Sequence, residues 1–104
     1  MISYSELLNQ FKNNPRDVIT KPTTNKAGLW FYTYVENGKI IVDAAKYHTP
    51  KSSINLPRVL PESELEKIYK LYIQRKQGKS VSQQATKITR NQVYWYGIFN
   101  DIGL

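Results

Sequence analysis

LWFYTYVENGKIIVDAA, residues 29–45, reads as a β-hairpin. Asn37-Gly38 lies between two runs rich in β-branched and aromatic residues. A two-residue type I′ turn needs positive φ at both central positions, and Asn-Gly adopts it at least cost. The register then follows by counting outward from the turn. Glu36 falls opposite Lys39, Val35 opposite Ile40, Tyr34 opposite Ile41, Thr33 opposite Val42 and Tyr32 opposite Asp43. Side chains alternate between faces along a strand. Phe31, Thr33, Val35, Ile40, Val42 and Ala44 share one face, which is the expected core. Trp30, Tyr32, Tyr34, Ile41 and Asp43 share the other, an aromatic stripe. Such a stripe can stack on unpaired bases, pack beneath another element or self-associate. No Lys or Arg interleaves it, which favours packing or self-association.

The 104 residues fit one domain with a real core, 40% of them being hydrophobic. No apolar run approaches the roughly 20 residues that span a bilayer. MISYSELLNQF lacks the basic start of a secretory signal. Cysteine is absent, so disulfides and thiolate metal sites are excluded. A cytoplasmic protein without a cofactor or metal is expected. The formal charge of +7 is unevenly spread. Residues 1–45 hold five basic and four acidic residues, whereas residues 46–104 hold ten and four. An excess of that kind draws polyanions in a salt-sensitive way.

Before the hairpin, Ser3-Tyr4-Ser5-Glu6 is a capping box with Ile2 and Leu7 in staple positions. Tyr4, Leu7, Leu8 and Phe11 make one apolar stripe of a helix that ends at Asn13-Asn14-Pro15. Residues 15–28 form a connector with a short extended piece at Val18-Ile19. After the hairpin, residues 46–60 read as an irregular basic loop in which Lys46, His48, Lys51 and Arg58 could touch phosphates.

Residues 61–99, PESELEKIYKLYIQRKQGKSVSQQATKITRNQVYWYGIF, read as three helices. The first spans about 61–76, with Pro61 in its first turn, acids near its start, and Gly78 just past its end. Capping-box spacings at Ser80 and Thr89 open helices over 80–87 and 90–101. Between Lys67 and Arg90 lie seven basic residues and no acid. The expected architecture is α+β: residues 1–60 carry a helix, a β-hairpin and a basic loop, and residues 61–104 a three-helix unit, in one domain.

GKSVSQQATKITRNQVYWY, residues 78–96, resembles the helix-turn-helix segment of bacterial and phage DNA-binding proteins. The resemblance is carried by Ser80, Ala85, Ile88-Thr89, Arg90-Asn91-Gln92 and Val93. It covers residues 61–102 with 61–76 as supporting helix. The turn between Ala85 and Ile88 is shorter than the family's, and its glycine is missing. The resemblance implies a recognition helix whose N-terminal residues meet base edges. Arg90 would read guanine, Asn91 or Gln92 adenine, and Tyr94 sugar or phosphate. Arg75, Lys76, Lys79 and Lys87 would contact backbone phosphates.

An enzyme is not expected. Gly28-Leu29-Trp30 with Asn37-Gly38-Lys39 is similar to the opening strands of GIY-YIG nucleases. Their Tyr-Ile-Gly strand is replaced here by Ile41-Val42-Asp43. The expected function is duplex DNA binding in a phage, plasmid or other mobile-element setting. The alternative is an accessory subunit on a larger nucleic-acid enzyme, or a homodimer. Trp30, Tyr32 and Tyr34 of the hairpin would then form its interface together with the apolar last helix, or serve as its platform for single-stranded DNA.

Overall fold

The computed structural model describes residues 2–22 and 26–104; positions 23–25 of the connector lie outside the described residues. The order is α1 (Tyr4–Asn13), β1 (Arg16–Ile19), β2 (Trp30–Glu36), β3 (Lys39–Ala44), β4 (Arg58–Leu60), α2 (Glu62–Lys76), α3 (Ser82–Ile88) and α4 (Gln92–Asp101). The four strands form one antiparallel sheet in chain order. The α+β class is as expected, with a helix first, the hairpin next and three helices last. The hairpin register is the one counted from the turn. Asn37 and Gly38 have φ of 53° and 70°, as a type I′ turn requires.

Two strands extend the hairpin, one foreseen only as a short extended piece and the other not at all. The extended piece at Val18-Ile19 is part of an edge strand in which Arg16–Ile19 pairs with Thr33–Trp30. The basic loop ends in β4, whose Arg58, Val59 and Leu60 pair with Val42, Ile41 and Ile40. Each added strand satisfies backbone groups along an edge that a lone hairpin would leave open.

The helix starts also differ from expectation. The Ser3–Glu6 capping box forms in full, with Glu6 N donating to Ser3 Oγ at 3.1 Å and Ser3 N to Glu6 Oε1 at 3.2 Å. Those at Ser80 and Thr89 do not form. Val81 caps α3 and Asn91 caps α4, neither through its side chain. Burial decides both starts. Val81 is pulled into the core, and the Thr89 hydroxyl accepts from Asn91 N at 3.0 Å instead. Pro61 is the cap of α2 rather than a first-turn residue. Gly78 ends α2 as expected, at φ 88°. Gly78 N donates to Arg75 O and Lys79 N to Gln74 O, a Schellman pattern.

The expected core face holds. Phe31, Thr33, Ile40 and Val42 are fully buried, facing Leu7 and Phe11 of α1; only Ala44, where β3 ends, is exposed. The Tyr4 hydroxyl accepts from Ile40 N at 2.9 Å and donates to Leu60 O at 2.5 Å, joining α1 to β3 and β4. Burial pushes the Tyr4 phenol pKa up, against the lowering effect of the Ile40 amide.

Helix α4 is the centre of the molecule. Tyr94 through Phe99 are all buried, Trp95, Ile98 and Phe99 completely. Trp95 Nε1 donates to Glu64 Oε1 at 3.0 Å, so even its polar atom is satisfied from α2. Gly97 lies against β1 and β2: a methyl there would sit 2.9 Å from the Ile19 carbonyl oxygen and 3.1 Å from the Phe31 ring. Replacing a mid-helix glycine by alanine ordinarily adds about 1 kcal/mol of stability. Here the sign reverses, because backbone cannot yield as a side chain can. Gly97→Ala is expected to lower unfolding stability by about 1–3 kcal/mol in a urea titration; an unchanged or raised midpoint would refute the close packing of α4 on the sheet.

Candidate nucleic-acid interface

Burial of α4 leaves the junction before it and its first two residues, Gln92 and Val93, as the surface offered ahead of Asn100. Arg90 is exposed, Asn91 and Gln92 are half-buried, and Val93 is 46% exposed. The three-residue break Thr89–Asn91 separates α3 from α4. Three of the four residues expected to read bases therefore reach the surface together. Tyr94 does not. It is 6% exposed and its hydroxyl lies 3.0 Å from Ser52 Oγ. The reason is positional: Tyr94 is where α4 turns into the core, its ring edge-on to Phe31 at 5.0 Å. It is a core tyrosine, and its expected reach to a sugar or phosphate is corrected.

A cleft lies on each side of this turn. One, of about 480 Å³, is bordered by Ser53, Asn55, Arg58, Arg90 and Asn91. The other, of about 300 Å³, is bordered by Arg75, Lys79, Ser80, Gln92, Val93 and Tyr96. Neither is lined by a carboxylate. The cations form two groups. Lys79, Lys87 and Arg90 are exposed and make no ion pair among the described residues. Arg75 and Lys76 are engaged. The Arg75 guanidinium lies 4.6 Å from the centre of the Tyr96 ring and donates to Lys21 O. Lys76 Nζ donates to Leu104 O at 3.0 Å and lies 5.4 Å from the Tyr72 ring. Burial pushes the Tyr96 phenol up while the Arg75 charge works the other way.

The aromatic stripe is a separate place. β1 brings Asp17 beside Tyr32 on that face. Its carboxylate accepts from the backbone N–H of Lys46 at 2.9 Å, Tyr47 at 2.7 Å and His48 at 2.9 Å. His48 Nδ1 is a further partner at 2.9 Å. The loop thus gathered lies against the Trp30 and Tyr32 part of the stripe. The His48 ring stacks on Trp30 at 3.9 Å, and Lys46 Nζ lies 4.2 Å over Tyr32. Trp30 N also donates to Pro50 O, and Ser52 N to Trp30 O. Trp30 and Tyr32 each have a ring face occupied. Tyr32 is buried, while Trp30 and Tyr34 remain half-buried. Asp17 had no signal in the sequence, because nothing marks a carboxylate that will hold a loop 29 residues away.

No group of three or more His, Asp or Glu side chains able to hold a metal occurs among the described residues. No helix among them is long and apolar enough to cross a membrane. Comparison with protein-family models, with curated proteins and with solved structures gave no match to this chain.

Burial alone would raise the Asp17 carboxyl, but the amide and His48 hydrogen bonds outweigh it and hold the pKa below the usual 3.8. A depressed folded-state value means that the stabilisation is present above the unfolded value and is lost as pH falls through the folded one. Asp17→Asn is therefore expected to destabilise at neutral pH by about 1–3 kcal/mol, since it replaces a charged acceptor of three partly buried amides and His48 by a neutral one. The gap between wild type and variant should narrow below pH 3.8 in urea titrations. A gap that is constant across that range would contradict the charged clamp.

Proposed function

We propose that the chain is a non-enzymatic DNA-binding protein of helix-turn-helix type that meets duplex DNA with the α3–α4 junction. One observation carries this reading: the α3–α4 junction and the first two residues of α4, Arg90 to Val93, reach the surface while the body of α4 is core. A recognition helix needs only its N-terminal residues at base edges, and the rest can serve the fold. The set Arg90, Asn91, Gln92 and Val93, two of them exposed and two half-buried, has the matching chemistry. Arginine pairs with guanine, a side-chain amide with adenine, and an apolar group with the thymine methyl. Lys79 and Lys87, unpaired by carboxylates, suit flanking phosphates.

The alternative of docking on a larger enzyme through the hairpin and last helix has less support. Those surfaces are occupied by the loop at 46–52 and by the core. The same packing weakens the single-strand variant built on Trp30, Tyr32 and Tyr34.

Labelled duplex and single-stranded DNA titrated at two salt concentrations test the reading. Duplex binding at low salt is expected, with affinity falling steeply as salt rises. Arg90→Ala should cost about 1–3 kcal/mol on a preferred sequence. Lys67→Ala, on α2 away from both clefts, should cost less. Equal losses would mean that charge alone is responsible, and no binding of either DNA would end the proposal.

A further inference from the structure

Three arginines show what sets a structural guanidinium apart from a recruiting one. Arg16 is structural: its Nε and Nη2 both donate to Asp101 Oδ2, at 3.0 and 2.6 Å, and its charge is cancelled. Arg58 is held differently. Its Nη1 donates to Asn91 Oδ1 at 3.1 Å, and its guanidinium lies 5.6 Å from the centre of the Tyr94 ring. Arg75 repeats the arrangement one cleft over. It donates to the Lys21 carbonyl oxygen and lies 4.6 Å from the centre of the Tyr96 ring. Both are oriented by neutral groups, and neither makes an ion pair among the described residues. Their supports, Tyr94 and Tyr96, stand two residues apart on the buried helix. Arg58 borders the cleft beside Arg90 and Asn91, and Arg75 the cleft beside Gln92 and Val93.

We infer that Arg58 and Arg75 are a two-sided phosphate clamp, one guanidinium for each strand of a duplex whose groove receives the turn Arg90–Val93. This deepens the DNA reading and rests on it. A guanidinium fixed by an amide or carbonyl and a ring keeps its full charge and spare N–H groups, and little of its freedom is left to lose on binding. Phosphate oxygens accept such forks in bidentate fashion. Two clefts flanking one ridge match two backbones flanking one groove; a single strand would engage one side only. Arg58 is also the route by which the sheet takes part, since β4 carries it.

The test uses the full chain and a short random-sequence duplex. The Nε–Hε signals of Arg58 and Arg75 in the wild-type NMR spectrum should both shift on duplex addition, while that of Arg16 stays in place. Arg58→Gln and Arg75→Gln should each lower the salt slope of duplex binding by about 1, with losses that add in the double variant. Each should also reduce the preference for duplex over single-stranded DNA. Thermal melting checks that the variants fold, and Arg58→Lys should keep the slope while losing affinity several-fold. The clamp is overturned if the Arg58 signal stays still and Arg58→Gln keeps the wild-type slope while Arg90→Ala weakens binding; the DNA reading then stands without it. A wild-type chain that binds no DNA overturns the reading itself.

Discussion

The sequence of α4 commits it to the interior, and the rest of the molecule is arranged around that burial. Trp95, Ile98 and Phe99 are inaccessible to water, and Gly97 lets the helix approach β1 and β2 more closely than any other residue would allow. Burying these side chains contributes on the order of 2 kcal/mol each, with the aromatic contacts among Tyr69, Tyr72, Trp95, Tyr96 and Phe99 adding to it. A helix spent in this way can present only its ends. The accessible edge Arg90–Val93 is therefore set by the core, which also fixes its rotation and depth.

The same constraint sorts the charges. Acids are drawn to places where they hold structure: Glu64 to the Trp95 indole, Asp17 to the loop at 46–48, Asp101 to Arg16. The stretch from Lys67 to Arg90 has none. Apart from Lys70, which pairs with Glu66 at 3.4 Å, the cations there are balanced by solvent, or steadied by rings and carbonyls. The proposed DNA-facing edge is in this sense the remainder of the fold, the region where no carboxylate was needed to complete the core. The aromatic face of the hairpin follows the opposite course. Its rings draw in a loop, and Asp17 secures the loop by three consecutive amides.

Much of this was legible in the sequence. An Asn-Gly turn admits one register, so the hairpin and its two faces followed by counting. Apolar spacing and helix-end signals located the first two helices, and capping-box spacings the last two. What was hidden depended on distant partners. β1 and β4 are four and three residues long, and only their pairing with the hairpin makes them strands. The capping boxes at Ser80 and Thr89 had the right spacing, yet burial of Val81 and Thr89 moved both helix starts. For the proposed site, Arg90, Asn91 and Gln92 were named from the helix-turn-helix resemblance. Tyr94 could not be told from a surface tyrosine, because its inward turn depends on Phe31 and Ser52. Arg58 drew notice only as one basic loop residue among several; its place beside Asn91 is visible only once β4 pairs with β3.

The central claim is that the surface left by the burial of α4 is where this protein meets DNA. Backbone amide NMR during titration with a short duplex tests it most directly. The account predicts shifts concentrated at residues 87–93 and 53–58 and along the α2 end at 75–79, with the amides of 30–34 and 46–48 undisturbed. Shifts centred on the aromatic face, or none at all at low salt, would contradict it.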